Sequence, residues 1–362
     1  MTEETKLRLR RAQTLLVLPD GKRYAVHNCR SGTMFFANAF CLALLGAMAQ
    51  WRPPAELFSE FREYTSASLA EQIGLLLDAG AVVAEGTAAD ALDRRFKRIW
   101  PWGVLSAAYH FAMRDTRFLS GKAAHEAMVG LSEESDSPPL IAAHDAQFTI
   151  ELPAFGPDTF PDPLSAVMLR RRSCRDFSAQ ALSLEAAANC LFAGKGITGW
   201  WREHTQVYGE LPQSLTPSGG ARNPFDLYLV GKRVSGLQPG VYRYCGWRHR
   251  LAVVGELEYG FAELFGDQEW TEPAAAFIVC VANFQRTGWK YRHEIAYRVV
   301  CLEVGCIVQN LLLAATAQGL ACVPSGAINF VRMESALGLD PVLQAPLMSV
   351  ALGMPESGES GI

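Results

Sequence analysis

The sequence predicts an α+β protein in two parts: a compact mixed domain in the second half, preceded by a winged-helix-like module. Three observations predict it. Helical and strand-like apolar patterns alternate through the second half. The first third carries its own succession of strand, helices, helix and strand. Between them, Ser132–Pro163 is rich in Ser, Asp and Pro, the composition of a linker or an extended crossing segment. The expected division is a module over 1–115, a connecting segment over 116–160 and the second domain over 161–362.

In the first third, Thr14–Leu18 is an apolar, β-prone run. Asp20-Gly21 is a hairpin signal, and Tyr24–His27 can return as the second strand. Phe35–Trp51 is the most apolar stretch; it is short for a membrane span, contains Asn38 and Gln50, and reads as a buried helix. A short helix follows near Ala55–Phe61. Ser66–Asp78 has helical periodicity through Leu69, Ile73, Leu76 and Leu77. Ala79-Gly80 ends that helix, and Val82-Val83 read as a strand. Lys6, Arg8, Arg10 and Arg11 form a terminal basic run that is expected to fray in solvent.

In the second half, Leu164–Arg170 and Ser183–Ala193 read as helices, the latter with Ser183 as N-cap and Glu185 in its first turn. Phe225–Val230 is a strand, and Val241–Tyr244 with Leu251–Val254 make a hairpin. Ala275–Ala282 is a fully apolar strand. Ile295–Gln318 is a long apolar helix ended by Gly319, and Pro346–Leu352 is the last strand.

Composition bounds the function. The chain has 362 residues, a hydrophobic content of 49%, a charged content of 19% and a net charge of −4. This is the composition of a soluble globular protein with no electrostatic sign of a nucleic-acid partner. Were Ser66–Asp78 a recognition helix, it would need cations, since neutralising roughly 6–10 phosphates takes a comparable set of them; it carries Glu71 and Asp78 and no Lys or Arg. The nine cysteines form no CxxC pair and sit mostly in apolar runs, so they read as reduced thiols of a cytoplasmic protein. The seven histidines have no ligand spacing, and no metal is expected. Thr2–Arg11 is too polar for a signal peptide, and no membrane partner is expected. There is no GxGxxG turn and no Walker loop.

Three segments carry chemistry. Arg170-Arg171-Arg172-Ser173-Cys174-Arg175 packs four guanidinium groups and a hydroxyl into six positions, donors suited to phosphate oxygens; a solvated helix end is the plain alternative. Thr216-Pro217-Ser218-Gly219-Gly220-Ala221-Arg222, just before a strand, combines glycines that admit a flat ligand with Ser and Arg donors; an ordinary turn would look the same. Pro324-Ser325-Gly326, after the long helix, can aim backbone N–H groups at a ligand atom or simply turn the chain.

Together these segments resemble the nitroreductase superfamily over about 162–355, in particular its SagB-type (McbC-like) peptide dehydrogenases. Further matching residues are Gly240-Val241-Tyr242-Arg243-Tyr244, Lys290-Tyr291, Ala296-Tyr297-Arg298, Glu303-Val304-Gly305, Gln309-Asn310-Leu311 and Leu313-Ala314-Ala315, with Trp102 and Tyr109-His110-Phe111 in the connecting region. The resemblance implies a nitroreductase-like FMN-binding fold and a homodimer with FMN between subunits. Arg171, Arg172, Ser173 and Arg175 would then hold the phosphate and ribityl chain, Pro217, Ser218, Gly219 and Arg222 would contribute a second wall, and Pro324, Ser325 and Gly326 would face the flavin. One departure is the tail Gly353–Ile362, which lacks the Lys or Arg many nitroreductases carry there.

The implied reaction is dehydrogenation of thiazoline or oxazoline rings of a peptide precursor, with Lys290 and Tyr291 as the catalytic pair. A lysine base needs a pKa far below the ordinary value near ~10.4, which burial can provide; a loop-surface lysine is the plain alternative. Implied partners are a peptide substrate and a cyclodehydratase or other modification-complex protein. Two other readings stay open: reduction of dehydroamino acids or nitroaromatics with NAD(P)H, and a flavin-containing scaffold subunit. The first third would dock peptide along a strand edge, or only complete the assembly.

Overall fold

The computed structural model describes residues 7–29, 31–99, 103–112, 119, 121–141, 149–202 and 209–356. Trp102 and the tail from Ser357 onward, both noted above, lie outside the described residues. The chain divides into two compact units, Met1–Phe118 and Leu119–Ile362.

The first unit runs β1 (Leu9–Arg11), β2 (Leu15–Asp20), β3 (Arg23–Asn28), β4 (Met34–Ala37), α1 (Ala39–Ala47), α2 (Pro54–Glu60), α3 (Ser66–Asp78), β5 (Val82–Ala84), α4 (Ala88–Ile99) and α5 (Gly103–Ala112). β2 and β3 are joined by a two-residue loop between paired Asp20 and Arg23, with Gly21 at φ 59°. The Phe35–Trp51 stretch is not one helix. Asn38 divides it: its side chain accepts from Cys41 N at 2.9 Å and caps α1, while Phe35–Ala37 pair with β3. Thr65 caps α3 in the same way, and Leu69, Ile73 and Leu76 bury one face of it against Leu9, Val26, Leu44 and Leu57. Lys6 lies outside the described residues, and the rest of the terminal basic run does not fray. Leu9–Arg11 pair with β5, and Arg10 is 5% exposed with its guanidinium 2.7 Å from Asp93 of α4. A buried acidic partner, invisible in the local sequence, fixes it.

The second unit adds α6 (Gly121–Glu134), β6 (Thr149–Glu151), α7 (Leu164–Arg170), α8 (Leu184–Lys195), β7 (Ile197–Trp201), β8 (Leu211–Ser214), β9 (Phe225–Gly231), β10 (Gly240–Cys245), β11 (Arg250–Glu256), α9 (Phe261–Leu264), β12 (Ala276–Asn283), α10 (Phe284–Lys290), α11 (Ile295–Ala317), β13 (Ala321–Ser325), α12 (Phe330–Leu337) and β14 (Gln344–Gly353). Its centre is an antiparallel sheet in the order β13-β14-β12-β9-β10-β11-β6. β12 is apolar from Ala276 to Ala282 because both of its faces are covered there. Ala276, Ile278, Cys280 and Ala282 face α8 and α11, while Phe277, Val279 and Val281 face α9 and α12. Each large apolar side chain so buried contributes ~1.5–3 kcal/mol.

Ser183 caps α8, accepting from Ala186 N at 3.0 Å. α11 is long and apolar enough to cross a membrane by length and composition alone, yet Val300, Val304, Ile307, Leu311 and Leu312 pack into the core. Gly319, at φ 70°, ends it. Residues 321–325, whose sequence reads as the approach to a turn, pair with β14 as an edge strand, the one sheet position where Pro324 costs no ladder bond to a second neighbour.

Candidate active site

The Pro217–Arg222 loop and Lys290-Tyr291 come together. Ser218 Oγ accepts from Asn223 N at 2.8 Å, which closes the loop on itself. Gly219 N donates to Glu303 Oε1 of α11 at 2.6 Å, which fastens the loop to the core helix. Gly220, Ala221 and Asn223 all have φ between 50° and 60°, a left-handed conformation that side chains disfavour. Gly220 needs that freedom for space as well: a Cβ there would lie 2.2 Å from Tyr291 Oη and 3.0 Å from Lys290 Nζ. Pro217 is exposed at the loop's outer edge.

Arg222 forms the floor. It is 1% exposed, donates Nε to Arg286 O and Nη2 to Ser137 Oγ, each at 2.7 Å, and lies 4.8 Å from the Trp289 ring centre. Burial pulls its guanidinium down to about 10, with Tyr291 acting the other way. Lys290 ends α10 half-buried, with Nζ 5.3 Å from the centre of the Tyr291 ring. Burial lowers its pKa from the ordinary lysine value, and the positive charge of Arg222 lowers it further. Both causes favour the neutral amine, the form that accepts a proton.

Gly220→Ala is therefore expected to destabilise the chain by ~1–3 kcal/mol through backbone strain, with added displacement of Tyr291. Urea unfolding of the purified variant checks it; an unchanged midpoint would mean the loop does not pack against Tyr291.

The arginine run is placed elsewhere, along β13. Cys174 N donates to Cys322 O at 2.9 Å, so the run lies beside this edge strand. Arg170 pairs with Asp162 and is occupied. Arg172, Ser173 and Arg175 are exposed, Arg172 resting on the carbonyls of Leu169 and Arg171 and Arg175 lying 5.4 Å from the Trp270 ring centre. Arg171 is half-buried, and its charge bears on the Cys322 thiol, which burial pushes up to about 11. At the end of β13, Ser325 Oγ accepts from Ala327 N at 3.1 Å and Ser325 O accepts from Ser349 Oγ at 3.1 Å, while Gly326 is exposed. Arg172, Ser173 and Arg175 thus present exposed donors beside β13, whose own residues are mostly buried, a donor set of the kind that binds phosphate.

Beneath the Lys290 site lies a buried charge network that the three sequence segments do not reveal. Asp226 of β9 and Arg286 of α10 form a two-point ion pair, both contacts 2.9 Å, at 9% and 2% exposure. Arg286 also donates to Pro139 O and Asn223 O, each at 3.0 Å. Lys195, 4% exposed, is pulled down to about 8 by burial, against the attraction of Glu303 and Asp226. Burial pushes the Glu303 carboxyl up, opposed by the Gly219 N–H, Lys195 and the Ser218 hydroxyl. A signal for it exists in the sequence: a charged residue inside an apolar strand or helix demands a buried partner.

The nitroreductase family model matches residues 168–354. A protein of Methanocaldococcus jannaschii described as a nitroreductase is 30% identical over 195 residues, covering 53% of this chain and 93% of that protein. The trifolitoxin-processing protein TfxB of Rhizobium leguminosarum bv. trifolii is 30% identical over 158 residues, 41% of this chain and 42% of that one, so the match spans less than half of the relative. Among solved structures, a protein of Anabaena variabilis described as a nitroreductase superposes with a TM-score of 0.50 at 19% identity, covering 70% of this chain and 48% of that one, which bears on the fold. With more than half of its length matched by the family model and a relative aligned over nearly its whole length, the chain belongs to the nitroreductase family.

Proposed function

We propose that this oxidoreductase binds FMN as a homodimer and dehydrogenates thiazoline or oxazoline rings in a peptide precursor. The observation that carries the reading is the gathering of Lys290, Tyr291 and Arg222 around Gly220, which gives a lysine with a lowered pKa beside a phenol in a half-buried site. Aromatisation of the ring removes a proton and a hydride. Lys290 Nζ takes the proton from the ring carbon, and Tyr291 Oη hydrogen-bonds the same ring. FMN, when bound, would supply the hydride acceptor. Arg171, Arg172, Ser173 and Arg175 would hold its phosphate and ribityl chain, Pro217, Ser218, Gly219 and Arg222 would form a second wall, and Pro324, Ser325 and Gly326 would line the flavin side.

Dimerisation is supported by exposed apolar side chains on α7 and α11: Leu164, Met168, Leu169 and Leu302 are 56–75% exposed on two helices that pack on each other. The similarity to a protein named for trifolitoxin processing supports a processing role of this kind. The first third, and the partner protein it would engage, belong to the same reading.

The test is spectroscopic. Purified chain reconstituted with FMN should be yellow, and a thiazoline peptide added without oxygen should bleach the flavin. A colourless protein that takes up no FMN sinks the reading. Rapid bleaching by NAD(P)H with none by azoline peptide assigns the chain to reduction instead.

A further inference from the structure

The first unit contains a cleft of about 420 Å³, whose lining includes Arg10, Arg11, Gln13, Trp51, Arg94 and Lys97. Its charge is one-sided. The acidic partners of its lining residues, Asp90 and Asp93, are buried and do not line it: Asp93 is engaged by Arg10 at 2.7 Å and by Gln13 N at 3.0 Å, Asp90 by Arg94 at 2.9 Å. Arg10 is pinned between Asp93 and the Trp51 ring, whose centre is 4.8 Å away. Arg11 and Lys97 are exposed and form no ion pair among the described residues, so their charge is left facing the cleft. Arg95 and Arg98, also exposed on α4, extend the positive potential beyond it.

We propose that this cleft recognises an acidic segment of a peptide, with Arg11 and Lys97 meeting its carboxylates and Trp51 and the Arg10 stem supplying the apolar wall. The ligand's class rests on the peptide reading given above; the site itself does not depend on the flavin chemistry. Charge complementarity selects an anion. The extent of the site selects a peptide over a nucleic acid: even with Arg95 and Arg98 counted beside Arg11, Arg94 and Lys97, the exposed cations number five, short of the roughly 6–10 phosphates a duplex-binding surface neutralises, and α3 contributes no cation. The location also differs from the strand edge expected from the sequence over Thr14–His27, which belongs to the separate β2-β3-β4 sheet.

The test is fluorescence anisotropy of fluorescein-labelled hexaglutamate titrated with the full chain at low salt, against labelled hexalysine and a labelled 20-mer single-stranded DNA. Hexaglutamate is expected to bind, hexalysine is not, and raising the salt should weaken the binding as contact charges are screened. The pair Arg11→Glu with Lys97→Glu should raise the hexaglutamate Kd at least tenfold. The milder pair Arg11→Gln with Lys97→Gln should raise it several-fold with an unchanged thermal midpoint, which covers the case in which charge reversal disturbs folding. The proposal is overturned if wild-type chain does not bind hexaglutamate, if both double variants bind it as wild type does, or if the DNA binds more tightly through the same two residues. Flavin absorbance of the same preparation reports separately on the proposed function, so that a colourless protein that still binds hexaglutamate leaves the cleft standing.

Discussion

Asp226→Ala is expected to cost ~3–5 kcal/mol of stability, the range for removing one member of a buried ion pair. The reason is what stays behind. Arg286 is 2% exposed and cannot reach water, so its charge loses both contacts to the Asp226 carboxylate at once. Domains are stable by only ~5–15 kcal/mol, so a loss of this size takes a large share. The damage should also spread along the hydrogen bonds. The Arg286 carbonyl holds Arg222 Nε, and Arg286 itself holds Pro139 O and Asn223 O, so a displaced Arg286 loosens the floor of the Lys290 site. Urea unfolding gives the number. A second variant sharpens it: adding Arg286→Met to Asp226→Ala removes the stranded charge and should recover part of the loss, short of wild type because the backbone partners of Arg286 are still missing. A single-variant loss below about 1 kcal/mol, within the range of an exposed pair, would show that this pair is solvated and not structural.

That network marks the limit of what the sequence disclosed. Elements whose signal is local were legible: β12 and α11 from continuous apolar runs, α3 from periodicity, α8 from Ser183 and Glu185 at its start, and the β2–β3 hairpin from Asp20-Gly21. Elements whose reason is a distant partner were not. β13 reads as a turn because of Pro324 and Gly326 at its end, and only its edge position beside β14 makes it a strand. β6 is three residues long and exists through pairing with β11, far later in the chain. Arg10 reads as a fraying end until Asp93 is brought to it.

The site divides in the same way. The Pro217–Arg222 loop and Lys290-Tyr291 stand out as residues, but their meeting over Gly220 depends on the fold. Arg222, expected to face the cofactor, spends two of its donors on Arg286 O and Ser137 Oγ, which makes it a support for the loop as well. Glu303 lies within a matching stretch, yet its role as acceptor for Gly219 N cannot be read from a helix periodicity.

Lys290→Met is expected to separate activity from stability. If the lysine removes the ring proton, its loss should lower kcat by ~10²–10⁴, the usual contribution of a positioned base, while FMN stays bound because the arginine run and β13 are untouched. Tyr291→Phe, which keeps the ring and removes the hydroxyl, should lower kcat less. Stability should move the other way. The Lys290 cation is disfavoured in the folded chain by burial and by Arg222, so its folded pKa lies below its unfolded value. The unfolded chain then binds the extra proton between the two values, and stability rises with pH across that window. Below it the full penalty applies, so at pH values under that window a neutral methionine should be tolerated or should stabilise. The same shift sets the pH profile. Only the unprotonated amine accepts a proton, so kcat should climb with pH and level off at a midpoint below the ordinary lysine value. Replacing Arg222 by Gln removes the second cause of the shift and should move that midpoint upward, whatever it does to the loop. Turnover of Lys290→Met at the wild-type rate with flavin bound, or a pH profile without the rising limb, would remove Lys290 from the chemistry and leave it as a lining residue of the Gly220 loop.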